Sequence, residues 1–259
     1  MNVQFFTVKQ QPGGHVMKFG VQLYNFREVL KSDFRAGLKE IAKLGFDGVE
    51  FAIDFGGIAP EELAALLKEL HLECAGTMFF KDALLDKDNI AYSYAKALNS
   101  PSVSYGDFCD FTAEWKNIVD YSRKIADIAA AHGTVSAYHN HWLEFEKVDG
   151  VPALCLISEK NDPEKFFFEP DVCWITRGGL DPVEFINRYS KRIRQVHLKD
   201  STQLDDVKQT AELGTGLVNI AGSFAAAAAA GAQWVIYEQD ETVDPFVSAE
   251  KSLKYLKSL

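Results

Sequence analysis

Two histidines one residue apart, His139 and His141, stand in the segment SAYHNHWLEF, which has the pattern of a buried strand. Side chains alternate between the two faces of a strand, so both imidazoles are expected on the same face. Two neutral imidazoles side by side are suited to a divalent metal, but an isolated His-x-His is more often an ordinary hydrogen-bonded pair. The pair alone therefore does not predict a complete site.

Further residues of metal-ligand type accompany the next three apolar runs. Asp171 follows FFFEP, His197 lies within RQVHLKD, and Glu238 ends QWVIYE. A single residue of this kind is most simply a polar residue at the edge of a sheet, whereas one on each of four successive strands favours a shared site. A mixed nitrogen and oxygen set suits Mn²⁺, Co²⁺, Fe²⁺ or Zn²⁺, and the two carboxylates balance the charge of a divalent ion.

The elements that would position these residues alternate regularly along the chain. Short apolar runs are followed by helical patterns eight times within the 259 residues, from FGVQL near Lys18 to QWVIYEQ near the end. This pattern predicts an α/β protein with one closed (β/α)₈ TIM barrel over residues 17–259, preceded by a short extension, 1–16. The active sites of such barrels lie at the carboxyl ends of the strands. The GTG of Gly214–Gly216 is interpreted as a loop-to-helix turn rather than a phosphate-binding loop.

Charge and composition narrow the class of partner. The formal net charge is −10 and the pI is about 5.1, which disfavours nucleic acid and anionic membranes because both need clustered Lys and Arg. A small-molecule partner is expected instead. No run reaches transmembrane length, and the first residues lack the apolar core of a signal peptide. The four cysteines are widely spaced, which indicates neither a disulfide framework nor a zinc knuckle and favours the cytoplasm.

From about Lys18 to Leu259 the chain resembles the xylose isomerase-like TIM barrels, often labelled sugar phosphate isomerases/epimerases. The segments that carry the resemblance are LGFDGVEFA, YHNHWLEFE, PDVCWITRGGLDP, RQVHLKD and IYEQD. The family includes ketose 3-epimerases, inosose isomerases and dehydratases, and endonuclease-IV-type enzymes. The resemblance implies one divalent metal ion, Mn²⁺, Co²⁺, Zn²⁺ or Mg²⁺, held by four residues from the fifth to the eighth strand.

The resemblance assigns the last three metal ligands to Asp171, His197 and Glu238. At the fifth-strand position, where many relatives have glutamate, this chain has His139, and His141 on the same face is the alternative ligand. The epimerases of the family use two metal-bound glutamates on opposite sides of the substrate. A neutral imidazole can relay protons too, but with a different charge and basicity. We therefore expect Glu238 and His139 to be the catalytic residues.

The expected reaction is metal-assisted enolisation of a sugar or polyol ketone through an enediolate, which gives an isomerase or an epimerase. If the enediolate expels a neighbouring substituent, the same site gives a dehydratase or lyase acting on a keto-sugar or inosose. A non-catalytic sugar-binding barrel remains a third reading. An abasic-site endonuclease would need further metal ligands and a basic surface for DNA, which the acidic composition disfavours.

Five further residues are candidates for contacts with the substrate: His141, Lys199, Arg177, Glu50 and Trp174. Lys199 and Arg177 are equally well interpreted as solvated charges at the rim, and Glu50 as a structural hydrogen-bond partner. A tryptophan at a barrel end is more often packing than a platform for a sugar. A homo-oligomer is expected only because related barrels commonly associate.

Overall fold

Eight parallel strands form the barrel in the computed structural model, which describes residues 17–259. The predicted extension, 1–16, lies outside the described residues. The strands are β1 (Lys18–Gln22), β2 (Gly48–Ala52), β3 (Glu73–Met78), β4 (Val103–Tyr105), β5 (Ser136–His139), β6 (Phe167–Glu169), β7 (Gln195–Leu198) and β8 (Trp234–Tyr237). They pair in the order β6-β5-β4-β3-β2-β1-β8-β7. The predicted (β/α)₈ fold is confirmed.

The barrel closes between β6 and β7 through isolated parallel bridges rather than a continuous ladder. One bridge joins Phe168 to Ile193 and the other joins Asp171 to His197. Pro170 has no N–H to give to this seam, but its carbonyl accepts the His197 N–H at 2.9 Å. Two of the predicted metal ligands are therefore fixed opposite each other by the backbone that closes the barrel.

Helices surround the sheet and begin at residues suited to the role. They are α1 (Arg27–Ser32), α2 (Phe34–Ala42), α3 (Pro60–Glu69), α4 (Lys81–Leu85), α5 (Ala91–Ala97), α6 (Phe111–Ala131), α7 (Ala153–Lys160), α8 (Val172–Arg177), α9 (Pro182–Arg188), α10 (Ile220–Ala229) and α11 (Pro245–Leu256). Aspartates 33, 110, 171, 181 and 244 cap five of them by accepting backbone N–H groups. Among the described helices, none has the length and apolar character that crossing a membrane requires.

The interior of the barrel changes from apolar to polar along its axis. Ala75, Trp234 and Ile236 form a separate apolar cluster near the amino ends of the strands. Nearer the carboxyl ends, the buried side chains are polar, whereas many barrels fill this space with branched aliphatic residues. Outward-facing residues such as Phe51 and Leu198 pack instead into the main core beneath the helices. A polar interior at this level indicates a site rather than packing.

Candidate metal centre and active site

The four predicted metal ligands lie together at the carboxyl end of the barrel. His139 ends β5, Asp171 follows β6, His197 lies in β7 and Glu238 follows β8. Each residue contributes one nitrogen or oxygen atom, and these four atoms all lie within 4.8 Å of one another. The side chains are almost completely buried, and Glu238 is the most exposed at 7%. The strands thus bring two imidazoles and two carboxylates into one small volume.

Asp171 is held rigidly by its own helix and by a neighbouring amide. Its Oδ1 accepts the N–H groups of Cys173 at 2.9 Å and Trp174 at 3.0 Å, which caps α8. The side chain of Asn140 accepts the Asp171 N–H at 3.2 Å and donates to its carbonyl at 3.4 Å. Within residues 17–259, Oδ2 is buried and makes no aligned hydrogen bond, and the ammonium of Lys199 lies 3.3 Å from it. A buried carboxylate oxygen that is held by a cation and lies beside two imidazoles fits a metal ligand.

His197 lies between carboxylates on both sides of its ring. Its Nδ1 is 2.6 Å from Oε2 of Glu238, and its Nε2 is 2.5 Å from Oε2 of Glu50 and 3.2 Å from Oε1 of Glu169. Burial opposes a charge on this ring, but Glu50 and Glu169 outweigh burial and raise the pKa of His197 well above its usual value. In the absence of a metal, a proton on His197 therefore balances the surrounding carboxylates.

Lys199 is a buried cation at the edge of the ligand set. Its Nζ lies 2.9 Å from Asp240, 3.3 Å from Asp171 and 3.4 Å from Glu238, and the residue is 1% exposed. Burial would lower the pKa of Lys199, but these three carboxylates raise it well above its usual value. Burial also opposes ionisation of Glu238, yet Lys199 and His197 hold the pKa of that carboxyl well below its ordinary range. Both groups are therefore charged.

Glu169 is a buried carboxylate that the sequence reasoning missed. It is in register with His139 across β5 and β6, and its Oε1 lies 3.2 Å from Nδ1 of that imidazole. Burial opposes its ionisation, but His197 and His139 lower the pKa of Glu169 to about 2. His139 in turn has a lowered pKa, because it is buried and lies beside His197. The spacing of two between Glu169 and Asp171 could have placed both on the inner face.

The predicted substrate contacts fall into two groups. Three of them lie close together near the carboxyl end of the barrel. The ring centroid of Trp174 lies 4.4 Å from Nζ of Lys199, and the ring of His141 lies 6.3 Å from that of Trp174. β5 ends at His139, so His141 lies in the following loop rather than inside the strand, with its ring 3.9 Å from Phe108. Lys199, His141 and Trp174 thus share one wall beside the ligand set.

Glu50 lies away from that wall, and Arg177 lies at its edge, with its guanidinium 4.8 Å from the ring centroid of Trp142, which packs against Trp174. Glu50 is fully buried inside the barrel below His197, where Gln22 donates to it at 2.8 Å and Gln195 at 3.2 Å. Burial first, and the charge of Glu169 second, raise its pKa to about 7. Arg177 donates to the carbonyls of residues 204 and 205 and so holds a loop. Glu50 thus has the surroundings of a structural hydrogen-bond partner, whereas Arg177 is bound to loop carbonyls and is not the solvated charge of the alternative interpretation.

The GTG segment is a turn, as the sequence predicts. The carboxylate of Asp200 accepts the N–H groups of Gly214 at 3.0 Å and Gly216 at 2.9 Å, and those of Ser201 and Val218 as well. A Cβ at Gly216 would lie 2.2 Å from Oδ1 of Asp200. The N–H groups that a phosphate would need are therefore already bound to an internal carboxylate.

Comparisons with known proteins agree with this architecture. Residues 38–259 match the protein family described as xylose isomerase-like TIM barrel. The chain belongs to this family. An inosose dehydratase of Geobacillus kaustophilus (strain HTA426) is 27% identical over 189 residues, 63% of this chain and 60% of the relative. The match thus spans less than two thirds of that relative's length.

Solved structures share the fold at low identity. A sugar phosphate isomerase/epimerase from Parabacteroides distasonis ATCC 8503 superposes with a TM-score of 0.79 at 21% identity, covering 93% of this chain and 98% of that one. The IolI protein, solved with a bound zinc atom, has a TM-score of 0.73 at 13% identity, covering 93% and 97%. The zinc belongs to that protein. These likenesses establish the barrel fold.

Proposed function

We propose that the protein is a divalent-metal-dependent enzyme that moves a proton beside the carbonyl of a sugar or polyol ketone, as an isomerase or epimerase. The observation that carries this proposal is the buried set of His139, Asp171, His197 and Glu238, whose ligand atoms lie within 4.8 Å of one another. A divalent ion held by these four residues would polarise the carbonyl and stabilise the negative charge that develops on its oxygen.

Glu238 is the residue we assign to proton transfer. It is the most exposed member of the ligand set, and its pKa lies well below the ordinary range, so it is ionised and can accept a proton. Lys199, 3.4 Å from Glu238, would donate hydrogen bonds to substrate oxygens. His139 has a lowered pKa and stays neutral, which suits a metal ligand; with one nitrogen toward the ion and the other toward Glu169, it would not also transfer a proton.

Elimination of water from a keto-sugar or inosose is the second candidate, and one observation favours it. Where the family usually has a glutamate on the fifth strand, this chain has His139. The carboxylate next to that imidazole, Glu169, is fully buried. Two carboxylates therefore do not face each other across the mouth, as two-glutamate epimerisation requires. Elimination needs a single base, Glu238, which could pass the proton that it takes to the departing hydroxyl so that water leaves, while the ammonium of Lys199 would stabilise negative charge on that oxygen. The similarity to an inosose dehydratase also supports this candidate.

Deuterium exchange tests the step that both candidates share. Keto-sugars and inososes are incubated with the metal-loaded protein in D₂O, and proton NMR follows the C–H beside the carbonyl. We expect this signal to disappear with wild type and to persist with Glu238→Gln. The matched control is Glu241→Gln. Glu241 lies on the same loop as Glu238 but is exposed and paired with Arg27, so this variant should exchange like wild type. Equal exchange in wild type and Glu238→Gln would contradict the assignment.

The products then separate the candidates. An isomerase or epimerase gives a product of unchanged mass, whereas a dehydratase gives one that has lost a molecule of water. Binding of these ketones without exchange by the metal-loaded wild type would refute both candidates and favour a non-catalytic sugar-binding barrel.

A further inference from the structure

A single carboxylate oxygen lies under both imidazoles of the ligand set. Oε1 of Glu169 is 3.2 Å from Nδ1 of His139 and 3.2 Å from Nε2 of His197, and Oε2 of Glu50 lies 2.5 Å from the same Nε2. Oε1 of Glu169 and the two ring nitrogens are buried, and none of the three makes an aligned hydrogen bond within residues 17–259. Buried polar atoms are costly to leave unpaired, and these three lie close enough to pair with one another after a small rotation of either ring.

The other oxygen of Glu169 is already fixed. Its Oε2 accepts the side-chain N–H of Gln195 at 2.5 Å and the hydroxyl of Ser104. A carboxylate can accept about four hydrogen bonds, two at each oxygen. With two donors on Oε2, the remaining capacity at Oε1 matches the two imidazole N–H groups. The donors come from β4 and β7 on either side, so the carboxylate cannot easily turn away.

We propose that Glu169 is a positioning residue, which accepts the N–H of Nδ1 of His139 and shares that of Nε2 of His197 with Glu50, and so sets the tautomer of both metal ligands. This inference rests on the proposed metal site. Each ring then directs its other nitrogen, Nε2 of His139 and Nδ1 of His197, to the ligand set. The position of Nδ1 of His197, 2.6 Å from Glu238, agrees with this direction.

The arrangement also places a negative charge beside the neutral residue of the fifth strand. Where many relatives have a glutamate, this chain has the imidazole of His139, and the carboxylate of Glu169 lies on the neighbouring strand, β6, in register with it. Carboxylates that accept the second N–H of a metal-binding histidine orient the ring and raise its basicity. Glu169 would do so for two histidines at once, so its loss should weaken the metal site more than the loss of a carboxylate that contacts neither ring.

The first test measures metal affinity without reference to turnover. Zn²⁺ is titrated in competition with a chromophoric chelator into wild type, Glu169→Gln and Glu144→Gln. Glu144 is the matched control, because it is equally buried but contacts His141 instead of the ligand histidines. We expect Zn²⁺ to bind roughly 10–100-fold more weakly to Glu169→Gln, and with wild-type affinity to Glu144→Gln.

Nitrogen NMR of protein labelled with ¹⁵N-histidine measures the tautomers directly. If Glu169 had a purely structural role, it would not set these tautomers. In the Zn²⁺-loaded wild type, Nδ1 of His139 and Nε2 of His197 should carry the protons, and the other nitrogen of each ring should show the shift of metal coordination. The opposite protonation, an unchanged affinity of Glu169→Gln, or an equal loss in Glu144→Gln would overturn this inference alone. A wild type that binds no Zn²⁺ would instead refute the proposed metal site itself.

Discussion

Replacing Lys199 with methionine tests whether the carboxylates around the site depend on a buried cation. Its ammonium contacts Asp240, Asp171 and Glu238 within 3.4 Å in a position that is 1% exposed. Methionine keeps the length and most of the volume of lysine, so packing changes little while the positive charge is lost. The variant takes the ammonium away from all three carboxylates, so the fully buried Asp171 loses its ion pair, while Glu238 keeps its contact with His197.

The expected cost follows from that geometry. Breaking a buried ion pair by removing one partner costs about 3–5 kcal/mol, because the charge left behind is neither solvated nor paired. The entropy of unfolding is about 2.1 cal/mol/K per residue, which for a chain of 259 residues corresponds to a fall in Tm of roughly 6–9 °C. Differential scanning calorimetry in the presence of a chelator measures this fall.

The matched control is Lys165→Met, which removes a lysine from an exposed pair with Asp127, where the side chains are 54% and 64% exposed. Exposed pairs contribute at most about 1 kcal/mol, so this Tm should change by roughly 2 °C or less. Zn²⁺ should raise the Tm of Lys199→Met, since the ion returns positive charge to Asp171 and Glu238; at 100 times Kd the gain is about 2.7 kcal/mol. Equal Tm values for the two variants in chelator would refute the reasoning.

Three further variants probe the elements that support the site. Asp200→Asn should lower the free energy of unfolding by roughly 3 kcal/mol, since an amide cannot accept all four N–H groups, including that of Gly214; a urea midpoint like that of wild type would contradict this. Gly76→Ala should cost about 1–3 kcal/mol in the same assay, because the added Cβ would lie 2.1 Å from Oε1 of Glu50, and an unaltered midpoint would show that Glu50 can move freely. Trp174→Phe should raise KM for the ketone about fivefold, the equivalent of roughly 1 kcal/mol, with little change in kcat; a fall in kcat alone would indicate a role other than substrate contact.

The sequence predicted the barrel because local signals and tertiary structure agree in this chain. Apolar strands alternate with helices that begin at Asp or Asp-Pro caps, and this pattern leaves few alternatives to a (β/α)₈ barrel. Helix α8 has no clear signal in the sequence, since six residues, Val172–Arg177, are too few to show a helical period.

The four residues proposed as metal ligands were predicted to lie together for a related reason. Each stands at the carboxyl end of its strand, and parallel strands in a barrel bring those ends to one level. Glu169 was missed because it lies within the apolar run FFFEP, which was interpreted only as a strand. Glu50 lies inside the barrel below the site and not at the rim. Its depth depends on how far each strand extends into the barrel, and the residue types along one strand do not reveal that depth.

Metal content is the most direct test of the central claim. The protein is purified without a His-tag or chelator, reconstituted with Mn²⁺, Co²⁺ or Zn²⁺, and compared by elemental analysis with Asp171→Ala, His197→Ala and His139→Ala. We predict about one divalent ion per wild-type chain and its loss from all three variants. Retention in His139→Ala alone would move the fifth-strand ligand to His141. A wild type that binds no divalent ion after reconstitution would contradict the proposed metal centre and the reaction assigned to it.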